Sequence, residues 1–390
     1  MLQQIVTEPI PIKMWLTDIE EGALEQAKNL ARIPFAFSHV ALMPDCHQGF
    51  GMPIGGVVAL KDVVIPNAVG VDIGCGMCAV KTTLEHISAP RLKKIMSKVR
   101  DLIPVGFKHH VSPQDHEEMP NSERDAFSMP VVAREYNKAL YQIGTLGGGN
   151  HFIEIQKDEK GKIWIMIHSG SRNIGKQVAD HYNRLAVDLN TRWKSSVPKS
   201  AQLAWLPLDL PEGIAYLKEM QYCVDFAYAN RKLMMNRVSE VFADEYKGDF
   251  HVFPMINIAH NYAAREYHQG VEVMVHRKGA TLAEKNTIGI IPGSQGTHSY
   301  IVQGKGNALS FNSCSHGAGR VMGRKQAQRT LDLKTEIKKL EEKGIVHAIR
   351  SVKDLDEASG AYKDIDTVMY NQQDLINVLH KLTPLGVIKG

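Results

Sequence analysis

Cysteine is scarce in this 390-residue sequence: there are five, at positions 46, 75, 78, 223 and 314. An odd set cannot pair fully within one chain, and the spacing forms no regular framework. That argues against a disulfide-stapled secreted fold and for reduced thiols in a cytoplasmic protein. No apolar run reaches the ~18 residues of a membrane span, and no charged stretch leads into a signal-like apolar one, so no membrane association is expected. Charge of one sign is also missing: 46 basic against 42 acidic residues leave +4, which permits a polyanionic substrate without pointing to one. There is no GxxxxGK[ST], and no complete GxGxxG with its acidic partner, which excludes P-loop and dinucleotide-binding readings. No RRM, KH or dsRBD signature supports a purely RNA-binding protein. No repeat, low-complexity tract or proline-rich linker forces a boundary, so residues 1–390 read as one domain, long enough to bury a large core unaided.

What the sequence does have is 17 His and 32 Gly. Helical periodicity marks 131–142, 173–193, 214–247 and 318–330. The Met and aromatic residues of 217–246 recur at three- and four-residue steps, most simply a packed stripe. Strand patterns mark 152–156, 163–167, 271–275, 287–291 and 299–303. They do not alternate with helices as βαβ units. The expected fold class is therefore α+β, a complex mixed α/β catalytic domain with several sheets and peripheral helices, neither Rossmann nor P-loop. Residues 108–125, with His109, His110 and His116, read as a solvated loop.

Chemistry gathers where polar ligand types interrupt apolar, glycine-rich sequence. The segments are MPDCHQG (43–49), VGVDIGCGMC (69–78), GTLGGGNHFIEIQ (144–156), IWIMIHSGSRNIG (163–175), INIAHNYA (256–263) and SFNSCSHGAGR (310–320). One such histidine is more often structural than a ligand; six segments shift that balance. Asp72 and Cys75 fit one turn, a thiolate can bridge two cations, and carboxylate, thiolate and imidazole together suit borderline transition metals. Cys75 and Cys78 make a lone CxxC without a second pair, so Cys75 is read as a ligand and Cys78 as core. Phosphate would meet backbone N–H groups in glycine turns, aided by Arg172 and Arg320. The 290–296 turn, IIPGSQG, reads equally as a nucleotide-wrapping turn or a hairpin connection. His316, before an expected helix start, is either a phosphorus-attacking nucleophile or a sixth ligand.

Together MPDCHQG, VGVDIGCGM, GTLGGGNHFIEIQ, MIHSGSR, AHNYA, IPGSQG, SCSHGAGRVMGR and the terminal AYKDID…VIKG resemble the RtcB family of GTP-dependent RNA ligases, from about Lys13 to Gly390. The resemblance implies two Mn²⁺ ions bridged by Cys75, with His151 and His168 completing one site and Asp72 and His260 the other. It implies that His316 is guanylylated and that Asp45 orients it. GTP contacts are implied for Asn150, Glu154, Asn261, Pro292, Gly293, Ser294, Gln295, Gly317, Ala318, Gly319 and Lys389, with Tyr370 stacking on the base. Arg172 and Arg320 would meet pyrophosphate or RNA phosphate. The implied substrates are RNA 3′-phosphate or 2′,3′-cyclic-phosphate ends and 5′-hydroxyl ends, in tRNA splicing or RNA repair, by a monomer whose accessory partner, if any, is unknown. Gln295 and Asn173 depart from the family's common Met and Gly. The competing reading is a binuclear metallophosphatase or cyclic phosphodiesterase acting on RNA ends without joining them.

Overall fold

A computed structural model describes residues 1–120 and 128–390. A six-stranded sheet runs Gln3–Ile5, Ile12–Met14, Ala36–Phe50, Met52–Leu60, Val271–Lys278, Asn261–His268 in spatial order. Its pairs are antiparallel except Ile12–Met14 with Ala36–Phe50. Side chains alternate across a strand, and here both faces are covered. Val40, Leu42, Val58 and Leu60 pack with Ala23, Ala27 and Leu30 of the helix Glu21–Ala31. Ala41, Met43, Val57 and Ala59 pack instead with Val273, Val275, Tyr300 and Ile365. Two buried faces explain why the strands read as nearly unbroken apolar runs.

A seven-stranded, wholly antiparallel sheet runs Ile256–Ala259, Gly76–Lys81, Ile163–Ser169, Phe152–Asp158, Ile376–Lys389, Ser299–Gly304, Ile288–Ile291. Cys78, Val80, Ile153, Ile155, Ile165 and Ile167 face the helices Ala89–Leu102 and Pro211–Tyr246. Met77, Ala79, Phe152, Trp164 and Met166 line the opposite face with Ile290 and Ile301. Burying each large apolar side chain contributes roughly 1.5–3 kcal/mol. The last strand enters the middle of this sheet and pairs Ile388 with Ile153 and Lys389 with Phe152. The end of the chain thereby lies beside His151.

The helix Pro211–Tyr246 carries the expected packed stripe, including Met220, Cys223, Phe226, Met234 and Val238. It also carries two buried polar residues that hold loops. Asn230 accepts from Gly144 N and Thr145 N and donates to Gly170 O. Arg231 donates to Gly74 O and Ser169 O, both at 2.9 Å. Buried hydrogen bonds of this kind fix geometry, because leaving either partner unpaired costs about 1–3 kcal/mol.

The α+β expectation holds. The helices expected at 131–142 and 173–193 are Pro130–Ala139 and Arg172–Arg192. The helix expected at 318–330 is corrected: only Arg324–Thr330 is helical. Gly319 has φ +75°, and Arg320 forms an isolated bridge to Tyr362 instead of an intrahelical bond. The 43–49 segment lies within the strand Ala36–Phe50, bent by register shifts between Leu42 and His47 and between His47 and Phe50. Residues 108–120 are irregular apart from one turn, His116–Glu118; residues 121–125 of the expected loop lie outside the described residues. The 290–296 turn is indeed the connection of a hairpin, with Ile291 opposite Tyr300. Among the described residues no helix is long and apolar enough to cross a membrane.

Candidate active site

The turn Asp72–Cys75 feeds the strand Gly76–Lys81. Gly74 takes φ +73°, and a Cβ there would stand 2.8 Å from Val224 Cα, so the turn lies directly against the long helix. Cys75 N donates to Asp72 O (3.1 Å), and Cys75 O accepts from His260 N (2.8 Å). The same few backbone bonds thus bring Asp72, Cys75 and His260 together. His151 and His168 arrive from neighbouring strands, with Nε2 at 3.4 and 3.3 Å from Cys75 Sγ. The ligand atoms of Cys75, His151 and His168 all lie within 4.8 Å of one another. Asp72 Oδ2 is 3.1 Å from His151 Nε2, and the His260 ring centroid is 5.2 Å from that of His168.

The donor set suits a cation. His168 Nδ1–H donates to Asn150 O (3.0 Å), which leaves the Nε2 lone pair facing Cys75. Burial holds His151, His168 and His260 below the usual imidazole range, keeping them neutral. Burial, with Asp72 adding, pushes the Cys75 thiol well up, so a thiolate needs positive charge beside it. Burial would raise the Asp72 carboxyl too, but His151 and Arg172 outweigh it and keep the group ionised. Among the described residues His260 Nδ1 is buried with no hydrogen-bond partner. Neutral imidazoles, a carboxylate, a thiol and an orphaned ring nitrogen fit a borderline transition-metal ion.

Arg172 begins its helix with φ +57°, places Nη1 3.1 Å from His151 Nδ1 and donates to Ser169 Oγ (3.2 Å). A Cβ at Gly147 would stand 1.7 Å from Arg172 Nη2, so glycine there makes room for the guanidinium. Arg172 lines a cleft beside Asp72, outside the cavity of His316.

His316 follows the short strand Ser313–Ser315, which Gln372 pins through both the amide and the hydroxyl of Ser315. Its Nδ1 lies 2.6 Å from Asp45 Oδ2. That oxygen also accepts from His316 N and Gly317 N at 3.1 and 3.3 Å. The amides therefore hold Asp45, and no helix N-terminus serves His316. A carboxylate on Nδ1–H leaves the Nε2 lone pair free and strengthens it as a nucleophile. Asp45 is fully buried, and Lys363 donates to Cys46 O (2.6 Å) and Pro44 O (3.3 Å) on either side of it.

His316 opens on a cavity at the surface of the protein. Asn150, Glu154, Pro292–Gln295, Gly317–Gly319, Arg320 and Lys389 all line it. Burial pushes Glu154 up to about 7 despite Gln156 and Lys389. Arg320 lines the cavity with its guanidinium anchored, donating to Glu357 Oε2 (2.8 Å) and Asp356 O (2.6 Å).

Two expected contacts lie elsewhere. Asn261 spends its amide on Asp72 O (3.1 Å) and Gly279 N (2.8 Å), stapling the metal-site turn rather than lining the cavity. Tyr370 is 70% exposed, because its helix Ile365–Asn371 buries Ile365, Val368 and Met369. The tyrosine in the cavity wall is Tyr362, whose hydroxyl donates to Glu357. His47 of the MPDCHQG segment also lines the cavity, as do Arg324 and Glu357, which no motif marked. Tyr362 had a signal in AYKDID; Glu357, in an ordinary acidic stretch, had none.

The family model for tRNA-splicing ligase RtcB matches residues 26–129 and 114–390. The chain belongs to the RtcB family. It is 38% identical to the RNA-splicing ligase RtcB of Escherichia coli K12 over 407 residues, covering 99% of each chain. It is 31% identical to the tRNA-splicing ligase RtcB of Thermococcus kodakarensis over 442 residues, covering 95% of this chain and 92% of that one. RtcB relatives from Methanococcus maripaludis are similar at the same 31% level.

Proposed function

We propose that this chain, acting as one catalytic unit over residues 1–390, joins RNA 3′-phosphate or 2′,3′-cyclic-phosphate ends to 5′-hydroxyl ends using GTP and two Mn²⁺ ions. The observation that carries the reading is His316, held at Nδ1 by the buried Asp45 carboxylate with Nε2 toward the cavity. His316 Nε2 attacks the α-phosphorus of GTP; a P–N bond forms and pyrophosphate leaves. The RNA cyclic phosphate is opened by water to a 3′-phosphate, which attacks the same phosphorus and returns His316 to its starting form. The 5′-hydroxyl then attacks the activated RNA phosphorus, and GMP departs.

Cys75, His151, His168, Asp72 and His260 would hold the metal ions, which when bound supply Lewis-acid neutralisation of phosphate charge. Asp45 stabilises the charge that develops on the His316 ring. Glu154 and Lys389 supply an acceptor and a donor toward a base edge; guanine offers both N–H groups and a carbonyl, whereas adenine lacks that combination. The hairpin turn at 290–296 and the glycines after His316 give the nucleotide close backbone approach.

The test is an end-joining assay with labelled RNA fragments, GTP and Mn²⁺. The expected product is a joined strand that consumes the 5′-hydroxyl fragment and requires GTP. Cyclic-phosphate opening or phosphate release without joining would instead favour the phosphodiesterase or phosphatase reading.

A further inference from the structure

Asp45 organises two imidazoles, not one. Its carboxylate takes His316 Nδ1, and its backbone carbonyl lies 2.9 Å from His47 Nδ1. A carbonyl can only accept, so the His47 proton is on Nδ1 and its Nε2 carries a lone pair. His47 is half-buried and lines the cavity with His316; its Nε2 takes no hydrogen bond among the described residues and is not among the buried orphans. The strand keeps the alternation that places Asp45 and His47 on one face, with Cys46 packed into the opposite core. Gly55, φ +83°, lies against this strand where a Cβ would stand 2.8 Å from Cys46 Cα and 3.1 Å from Asp45 Oδ1. The position of the second imidazole is therefore built, not incidental.

We propose that His47 reads a ribose hydroxyl beside His316, accepting its hydrogen bond at Nε2. The inference rests on the guanylylation reading above. A nucleotide joined through phosphorus to His316 brings its sugar next to that phosphorus, with the base one sugar further on toward Glu154 and Lys389. Phosphate oxygens only accept, so they do not match a lone pair. Burial, with the neighbouring His316 adding to it, pushes His47 down to about 4, which disfavours both a cationic phosphate contact and proton storage near neutrality. A neutral acceptor facing a hydroxyl satisfies all of these conditions. The hydroxyl belongs either to the guanosine ribose or to the terminal ribose of the RNA 3′ end.

The experiment compares wild type with His47→Phe, which fills the space without an acceptor, and His47→Gln, which retains one. One arm measures protein labelling by α-labelled GTP, 2′-deoxy-GTP and 3′-deoxy-GTP without RNA. The other measures sealing of a 3′-phosphate RNA whose terminal sugar bears 2′-OH or 2′-H. Wild type is expected to prefer one hydroxyl-bearing substrate by about ten-fold, the upper worth of a neutral hydrogen bond. His47→Phe should lose that preference while using the deoxy counterpart as well as wild type does, and His47→Gln should recover part of it. The arm in which the preference disappears identifies the ribose. Equal losses on every substrate, or no discrimination by wild type, would overturn the proposal while leaving guanylylation standing. Wild type that GTP fails to label would take down the parent reading, and this inference with it.

Discussion

The two ends of the His316 cleft share one seven-stranded sheet, through Lys389 and through His168, yet solve opposite electrostatic problems. At the Lys389 end, the buried Glu357 is compensated within the protein by Arg320 and Arg324 at 2.8 and 2.7 Å and by the Tyr362 hydroxyl. At the Cys75 end, neutral imidazoles crowd a protonated thiol, and among the described residues His260 Nδ1 has no partner. The first end balances its buried charge within the chain; the second leaves a ring nitrogen unpaired among the described residues, where a cation fits. A buried charge paired within the chain marks a preformed wall, and an unpaired ring nitrogen among ligand-type side chains marks where a cation fits.

The largest expected effect separates two thiols three residues apart. Cys75→Ala should lose bound Mn²⁺, measured by elemental analysis, and lose joining beyond the roughly hundred-fold typical of outer-shell partners. Cys78→Ala should keep both, because Cys78 packs among Ile153, Ile165 and Met234 in the core. Normal joining by the Cys75 variant would break the comparison at its metal end.

Asp45→Asn comes next. It keeps the shape but removes the charge that sets the His316 tautomer, so guanylylation should fall by roughly 10³- to 10⁴-fold. GTP binding, followed by calorimetry, should change little. A smaller effect belongs to the charge-paired end: Glu357→Ala strands Arg320 and should cost roughly 3–5 kcal/mol in chemical denaturation while metal content stays intact.

The fold class, most helices and the strands were legible because apolar periodicity dominates them. The helix expected at 318–330 failed over its first half because the backbone there bonds outward, Val321 N to Ala361 O and Gly319 O to Lys363 N, rather than along itself. Sheet order was not legible: no local pattern places Ile376–Lys389 between Phe152–Asp158 and Ser299–Gly304. Cys75, His151 and His168 were legible as ligand types interrupting apolar runs, and they do converge. Glu357 and Arg324 were invisible because their meaning lies in pairing across 33 residues. Tyr370 misled because an aromatic near the right motif carries no information about which helix face is buried.

The smallest expected effect is a pH slope. Glu154, raised from 4.5 to about 7 by burial, keeps its proton in the folded protein after the unfolded chain has released it. Its contribution to stability is therefore full below about pH 4.5 and declines as pH rises through about 7. Glu154→Gln should flatten that part of the stability profile of the nucleotide-free protein. An unchanged slope would place the titration elsewhere.

The most direct test of the central claim is incubation of metal-loaded protein with α-labelled GTP, followed by denaturing separation. The expected result is an acid-labile label on the wild-type chain that is absent from His316→Ala at equal metal content. Label on the His316 variant, or none on active wild type, would contradict the account.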